Sequence, residues 1–329
     1  NIVSHKYKMD AANFLINASS FVITYISTRK LLPLFKKKVA DIPNHRSSHI
    51  KNTPTGGGLG FIFITIIFCL VEIFTFGISF ITMIPLISIP IIIVSFIDDF
   101  SNLPIKYRFA SQILTSSILI LNFLFKYENE SIILLIVFFL FLLLLSIASI
   151  NFINFIDGID GLISGSFLII LLTFAFSNSL SLSFYALIGG ICAFLLFNWS
   201  PAKLFMGDIG STFLGAIYVG LIFEQKSLDN AISYLLIFTP IFADAISCIV
   251  MRFIYKQNIF KPHKLHLYQR LHQSGMSHSD ISSIYIVGII LLSLTFFLGN
   301  LNLLFFVSLI EILIGFLLNR FVAVKFKKY

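Results

Sequence analysis

Charged residues and cysteines are both scarce in this chain of 329 residues. Only 12% of the residues are Asp, Glu, Lys or Arg, about half the share found in an ordinary soluble domain. Cys69, Cys192 and Cys248 all lie in apolar runs and form no Cys-x-x-Cys pair, which favours buried free thiols over a disulfide or a metal centre. By contrast, 57% of the chain is hydrophobic and 39 residues are Phe. This composition excludes a soluble protein and predicts a polytopic membrane protein.

Apolar runs long enough to cross a bilayer, about twenty residues each, recur along the chain. The predicted spans cover residues 11–28, 57–76, 79–97, 109–125, 131–150, 162–177, 183–198, 210–225, 231–251, 281–298 and 302–319. We therefore predict an all-α fold, a single transmembrane domain over residues 1–329 with about eleven helices.

The basic residues lie mainly on one side of these spans. The side with fewer basic residues holds four of the 23 Lys and Arg residues, namely Lys6, Lys8, Lys126 and Lys226. Because Lys and Arg collect in cytoplasmic loops, the asymmetry predicts a periplasmic N-terminus and a cytoplasmic C-terminus. It also explains the net charge of +8 without a nucleic-acid partner. The predicted cytoplasmic loops lie near residues 29–56, 98–108, 151–161, 199–209 and 252–280.

Five polar motifs interrupt the apolar chain, and the predicted topology places all of them on the cytoplasmic face. They are HRSSHIKNTPTGGG (45–58), FIDDFSNLPIKYR (96–108), NFINFIDGIDG (151–161), KLFMGDIGST (203–212) and KPHKLHLYQRLHQSG (261–275). Eleven spans do not force this arrangement, so we infer that the motifs build one shared site.

Five aspartates belong to these motifs: Asp98, Asp99, Asp157, Asp160 and Asp208. Gathered at a rim of low dielectric, their carboxylates would repel one another strongly unless a cation lay between them. Mg²⁺ would relieve this repulsion, since it prefers a few carboxylates together with phosphate oxygens and water. The alternative is that each acid merely caps a helix. For five acids on one face, we favour the cation site.

Two further motifs allow either a ligand or a packing role. Asn154, Asp157 and Gly161 are spaced three and four apart, which predicts a single helical ridge, and the glycines suit either a ligand or a packed helix. The TPTGGG segment could cradle phosphate through its amides, with Arg46 and Lys51 as counter-charges, or it could pack a helix entry. It lacks the Gly-Lys-Ser/Thr ending of a P-loop.

The last loop carries His263 and His266, with Arg270 four residues further on. A zinc site is weakly supported here, because no Glu lies between the histidines and no third ligand follows at zincin spacing. Arg270 and Lys264 fit better as donors to an anionic nucleotide sugar, or as solvated loop charges. Asp244, deep in a predicted span, is a functional candidate because a carboxylate is costly there.

In their order, the motifs resemble those of the polyprenyl-phosphate N-acetylhexosamine-1-phosphate transferases, glycosyltransferase family 4. This family includes phospho-MurNAc-pentapeptide translocase and transferases that initiate O-antigen. The resemblance extends from RSSHIKNTPTGGG through SFIDDF, NFINFIDGIDGL and FMGDIGSTFLG to PHKLHLYQRL. It implies that a membrane-held polyprenyl phosphate, undecaprenyl phosphate, attacks the β-phosphate of a UDP-N-acetyl sugar and releases UMP. It further implies Mg²⁺, with Mn²⁺ as a substitute, and a bacterial inner membrane with the active site on the cytoplasmic face.

The resemblance also implies roles for the motif residues. The catalytic residues would be Asp98, Asp99 and Asp157. The metal ligands would be Asp98, Asp99 and Asp208. The substrate would be bound by Asn154, Asp160, His263, His266 and Phe205, the last at the position of a uracil-stacking Phe. Lys51 and Arg270 join this set as the counter-charges named above.

One departure bears on the substrate. The loop HKLHLYQRL lacks the adjacent histidines of the translocase, which favours a UDP-N-acetylated hexose or 6-deoxyhexose over UDP-MurNAc-pentapeptide. The reaction would then initiate a surface glycan such as O-antigen. The alternatives left open are a peptidoglycan-precursor translocase, a transporter or lipid-linked-glycan flippase, and a non-catalytic scaffold. Single or double displacement and a homodimer are also open.

Overall fold

A computed structural model of the chain describes residues 11–38, 40–41, 52–101, 103–125, 130–178, 180–259 and 263–326. Within these ranges the chain is almost entirely helical, which confirms the all-α prediction. The helices are α1 (Ala11–Lys38), α2 (Gly58–Phe76), α3 (Phe80–Ile87), α4 (Ile89–Ser101), α5 (Ile105–Leu124), α6 (Ile132–Ile156), α7 (Leu162–Ser177), α8 (Leu182–Asn198), α9 (Gly207–Phe223), α10 (Leu228–Ile237), α11 (Thr239–Ile254), α12 (Leu267–Gln273), α13 (His278–Phe297) and α14 (Leu301–Phe321). The strands β1 (Ala40–Asp41) and β2 (Thr53–Pro54) pair antiparallel.

Every predicted span falls on one helix or on two consecutive helices. The third span divides into α3 and α4, and the ninth into α10 and α11, whose axes bend by 72°. Pro90 and Pro240 lie in the first turns of α4 and α11, and proline has no amide hydrogen to continue a preceding helix. Both breaks therefore follow from the sequence.

Several of these helices are suited to crossing a membrane. In the described ranges, five segments are long and apolar enough to do so, or six when the bent α10–α11 pair counts as one span. Helices α7, α8 and α9 are apolar but shorter. These helices fit a multi-pass membrane protein. The count of eleven spans and the orientation of the termini remain predictions.

The core of the bundle surrounds α7, α8 and α9, which are buried on most sides. Helix α8 packs against α1 and α2, and α9 packs against α4 and α6. At Gly189 the backbone of α1 approaches so closely that an added Cβ would lie 2.3 Å from the carbonyl oxygen of Asn17. Helices α6 and α14 instead turn large apolar side chains outward, as lipid-facing helices do.

Candidate active site

Three helix ends meet and bring four aspartates together. Asp98 and Asp99 lie in the last turn of α4, Asp157 caps the C-terminus of α6, and Asp208 lies in the first turn of α9. We call these four side chains the carboxylate cluster. They come from three of the polar motifs, so the structure supports the inference of a shared site for this part of it.

Arg108, in the first turn of α5, links two members of the cluster. Its Nη2 forms an ion pair with Asp98 Oδ2 and lies 3.1 Å from Asp208 Oδ2. The other oxygen of Asp98 accepts a 2.6 Å hydrogen bond from the amide of Leu103. Arg108 is not among the site residues predicted from the sequence. Pro104 could have indicated this contact, because it is the N-cap of α5. A helix that begins there places Arg108, in its first turn, beside the aspartates that end α4.

Asp99 caps the N-terminus of α9. Its Oδ1 accepts a 3.0 Å hydrogen bond from the amide of Asp208, and its Oδ2 accepts a 3.4 Å bond from the amide of Ile209. A carboxylate is favourable at this position because unpaired amides and the helix dipole both attract negative charge. Gly207 makes the approach possible: its φ is +79°, and an added Cβ would lie 2.6 Å from Asp99 Oδ2.

We expect Gly207→Ala to destabilise the protein, because the new methyl group would push Asp99 off the end of α9 and force a side chain into the left-handed region. The measurement is the thermal unfolding temperature of the full chain in detergent. Gly275→Ala is the matched control, since Gly275 has a φ of +103° and nothing within 4 Å of an added Cβ. Equal drops in the two variants would show that the contact with Asp99 contributes nothing.

Asn154 and Asp157 complete the cluster from the side of α6. Asn154 Nδ2 donates to Asp208 Oδ1 at 3.1 Å and to Ser211 Oγ at 2.9 Å, which ties α6 to α9. Burial, followed by the negative charges of Asp208 and Asp99, raises the pKa of Asp157 well above its ordinary value. Burial disfavours the charged form of the carboxylate, and the neighbouring carboxylates add to this effect.

The predicted single ridge of Asn154, Asp157 and Gly161 is wrong. Helix α6 ends at Ile156, and α7 begins only at Leu162. The backbone of Asp157, the C-cap of α6, leaves the helical conformation at a ψ of 50°, and Gly161 is the N-cap of α7 with a left-handed φ of +77°. Asn154 and Asp157 therefore stay with the cluster, while the residues that follow turn away from it.

Asp160 lies outside the cluster as a result of this turn. Its Oδ2 accepts a 3.0 Å hydrogen bond from the amide of Ala202, and its Oδ1 lies 3.2 Å from His278 Nδ1. Burial alone would raise the pKa of Asp160, but the hydrogen bonds and the His278 charge lower it overall. Asp160 thus joins the loop before α9 to α13. These contacts do not support binding of the substrate by Asp160, which stays a prediction.

The TPTGGG segment packs against the loop that precedes α9. The amide of Gly57 donates to the carbonyl of Phe205 at 2.9 Å, and the amide of Phe205 donates to the carbonyl of Pro54 at 2.8 Å. At Gly57 the packing interpretation is therefore favoured over a phosphate cradle. The half-buried ring of Phe205 is held beside the cluster by this backbone pairing, and uracil stacking remains a prediction. Lys51 lies outside the described residues.

Asp244 organises the loop that carries the histidines. Its Oδ1 accepts a 2.7 Å hydrogen bond from the amide of Leu267, and its Oδ2 accepts bonds from the amide of Tyr268 at 3.1 Å and the hydroxyl of Tyr285 at 2.7 Å. His266 Nδ1 lies 3.5 Å from the same carboxylate. The intramembrane acid noted in the sequence therefore caps α12 and anchors the loop to α11.

The two histidines carry different charges at neutral pH. Burial lowers the pKa of His266, but the hydrogen bond to Asp244 and the charge of that carboxylate outweigh burial and raise the pKa to about 9. For His263, burial together with the charges of His266 and Arg252 lowers the pKa to about 3. His266 is thus a cation and His263 is neutral.

We expect the stability of the metal-free protein to fall as the pH rises from about 6.5 to about 9. The pKa of His266 is higher in the folded chain than the ordinary value of 6.5, so its stabilising proton is fully bound below that value and is lost as the pH passes the folded pKa. The measurement is the unfolding temperature across this range for wild type, His266→Gln and His272→Gln. A decline in His266→Gln as large as in the other two proteins would contradict the assignment.

Arg270 is committed to contacts within the fold. Its Nε donates to the carbonyl of Leu265 at 3.0 Å, its Nη1 to the carbonyl of Val324 at 3.0 Å, and its Nη2 to Asn319 Oδ1 at 2.5 Å. These bonds hold α12 to the segment after α14. None of these hydrogen bonds supports a contact between Arg270 and the substrate, which stays a prediction.

The histidine loop and the carboxylate cluster are neighbours. The hydroxyl of Tyr268 donates to the carbonyl of Phe155 at 3.1 Å, in the last turn of α6. Tyr268 also packs against Gly158, where an added Cβ would lie 2.0 Å from its hydroxyl oxygen. The ring of His266 lies 6.3 Å from that of Phe155 between centroids. A single ligand could therefore contact both the acids and the cationic imidazole.

Together these features define a class of protein: an apolar helical bundle, suited to a membrane, in which gathered carboxylates and an arginine lie beside a histidine loop. Residues 80–225 match the sequence model of the family described as glycosyl transferase family 4. This region carries all four acids of the cluster, and the match confirms the resemblance drawn from the motifs.

Similar proteins carry related names. A probable undecaprenyl-phosphate N-acetylglucosaminyl 1-phosphate transferase of Bacillus subtilis (strain 168) is 38% identical over 117 residues, which cover 34% of this chain and 32% of that protein. A phospho-N-acetylmuramoyl-pentapeptide-transferase of Dictyoglomus turgidum is 32% identical over 108 residues, 32% of this chain and 33% of that protein. The chain thus spans about a third of the length of these relatives.

Proposed function

We propose that the protein transfers a sugar 1-phosphate from a UDP-sugar to a polyprenyl phosphate and releases UMP. The observation that carries the proposal is the convergence of four carboxylates and Arg108 at helix ends in an apolar bundle, beside a cationic histidine. A lipid phosphate and a nucleotide diphosphate are both anionic, and positioning with charge stabilisation supplies most of the catalysis in phosphoryl transfer. The names of the relatives agree with this chemistry.

The carboxylate cluster fits Mg²⁺, with Mn²⁺ as a substitute. The donors are hard oxygen atoms from several helices, which suits these ions better than soft metals. Arg108 already bridges Asp98 and Asp208, and four carboxylates beside one guanidinium leave negative charge that a divalent ion would offset. Asp208, Asp157 and Asp99 would hold the ion. When bound, it would neutralise phosphate oxygens as charge develops on them.

The solvent exposure of their side chains distinguishes the role of Asp98 from that of Asp208. The Asp98 side chain is 1% exposed, whereas those of Asp208 and Arg108 are 37% and 39% exposed. Asp98 therefore positions Arg108 from beneath, and Asp208 and Arg108 face the ligand. Arg108 and His266 would each attract a phosphate group, which would orient the diphosphate between the cluster and the histidine loop.

We propose undecaprenyl phosphate as the acceptor and a UDP-N-acetylated hexose or 6-deoxyhexose as the donor. The acceptor is supported by the name of the Bacillus relative, and the donor by the loop PHKLH, which has no adjacent histidines. The product would initiate a cell-surface glycan such as O-antigen. The basic cytoplasmic loops support a site on the inner face of a bacterial inner membrane.

The test uses the full chain purified in detergent and supplied with Mg²⁺ and undecaprenyl phosphate. UDP-N-acetylglucosamine, UDP-N-acetylgalactosamine, a UDP-N-acetylated 6-deoxyhexose and UDP-MurNAc-pentapeptide are offered separately, and UMP release is measured. We expect release with one of the first three, and none without the lipid phosphate or with EDTA. Release only with the pentapeptide would identify a peptidoglycan-precursor translocase. No release by folded protein would favour a transporter.

A further inference from the structure

A thiol and two imidazoles meet beneath the histidine loop, apart from the carboxylate cluster. Cys248 lies in α11, and His263 and His266 lie in the segment before α12. One possible ligand atom from each of the three residues lies within 4.8 Å of the other two. Cys248 and His266 are buried, and His263 is half-buried. The third ligand that the histidine spacing lacked is thus supplied by a neighbouring helix.

We propose that Cys248, His263 and His266 form a binding site for a thiophilic divalent cation of the Zn²⁺ class. In a tetrahedral zinc site the ligand atoms lie about 3.3–3.8 Å apart, as bonds of about 2.3 Å to sulfur and 2.0–2.1 Å to nitrogen require. The side chains therefore need to contract by about 1 Å. A thiolate with two imidazoles selects Zn²⁺ over Mg²⁺, whereas the carboxylate cluster has the opposite preference.

Asp244 provides the support that such a site needs. A metal-bound histidine usually donates its other ring N–H to a carboxylate, which fixes the ring and its tautomer. His266 Nδ1 lies 3.5 Å from Asp244 Oδ1, so Nε2 is left for the cation. Asp244 is itself held by two loop amides and the hydroxyl of Tyr285. It is a positioning residue here and not a ligand.

The amide of Leu265 and the side chain of Arg252 affect the free energy of cation binding. His263 Nδ1 accepts a long 3.3 Å hydrogen bond from the amide of Leu265, which the cation would replace. Two donors of the Arg252 guanidinium, Nη1 and Nη2, are bonded to the carbonyls of Ile259 and Asn258. Binding releases the thiol proton of Cys248 and one proton of His266, so the bound cation replaces the imidazolium as the positive charge of the histidine loop. A fourth coordination position is left for water or an anion.

The site does not depend on the proposed transferase activity, and it would fasten the histidine loop to α11. Co²⁺ is a suitable probe because it takes the place of Zn²⁺ and reports its ligands by absorption. We expect the detergent-purified full chain to bind one equivalent of Co²⁺, with a thiolate charge-transfer band in the near ultraviolet and tetrahedral bands in the visible. Zn²⁺ added afterwards should abolish both.

Three variants test the ligands. Cys248→Ser should remove the thiolate band and weaken binding at least about 10-fold, and His263→Gln should weaken binding with the band retained. Cys192→Ser, which alters a half-buried cysteine of α8, should leave both unchanged. Absence of a thiolate band in folded wild type, or a band that persists in Cys248→Ser, would overturn the proposal.

Asp208→Asn separates this proposal from the proposed function. It should retain the Co²⁺ spectrum while losing UMP release, and Cys248→Ser should do the reverse. Loss of the thiolate band in Asp208→Asn, with the protein still folded, would show that the cation binds elsewhere. Failure of every UDP-sugar to release UMP would leave the metal result standing.

Discussion

We expect Asp208→Asn to lower the rate of UMP release by about 100- to 1,000-fold, the loss typical of removing one group that stabilises developing charge. The carboxylate of Asp208 is partly exposed, and it contacts both Arg108 and Asn154. Asparagine keeps its size but loses the charge that would hold Mg²⁺. The measurement is the steady-state rate of UMP release at saturating Mg²⁺, together with the unfolding temperature.

The control for this experiment is Asp229→Asn. Asp229 is also an acid in the first turn of a helix, α10, and it is exposed, but it lies outside every polar motif. We expect unchanged activity in this variant. If Asp208→Asn retained wild-type turnover, or if Asp229→Asn lost as much, the carboxylate cluster would not be the site of transfer.

Arg108→Gln is expected to cost a similar factor, about 100- to 1,000-fold in kcat/KM. Without the guanidinium, the buried carboxylate of Asp98 loses its partner, and an incoming phosphate loses a donor. Arg108→Lys should recover part of the rate, since lysine keeps the charge but not the fork geometry that reaches two oxygens at once. The assay is UMP release measured against UDP-sugar concentration.

Lys106→Gln is the matched control for Arg108. Lys106 lies in the same turn of α5, exposed, with its ammonium over the ring of Tyr107. The double variant Asp98→Asn with Arg108→Gln tests whether Asp98 acts through Arg108. Its loss should be smaller than the two single losses combined, because both single changes break the same pair. Fully additive losses would assign Asp98 a separate role.

Much of the fold could be predicted from the sequence, because a membrane chain must hide its backbone polar groups in helices. Apolar length therefore located the segments, and Pro90 and Pro240 mark where two of them break. Residue spacing alone could not predict that the helix ends before Gly161. Helix α6 ends where the backbone of Asp157 leaves the helical conformation, and α7 begins at Gly161, whose left-handed backbone packs against Trp199.

By itself the sequence determined the class of helical membrane protein, the family resemblance and the acids of the cluster, because these depend on residue type and local order. Tertiary structure alone decided which polar groups share a site. It brought four aspartates together and paired two of them with Arg108. It also paired Asp160 with His278 and placed Cys248 beside two histidines. The physical reason is that contacts between helices depend on crossing and rotation, which spacing along one chain does not encode.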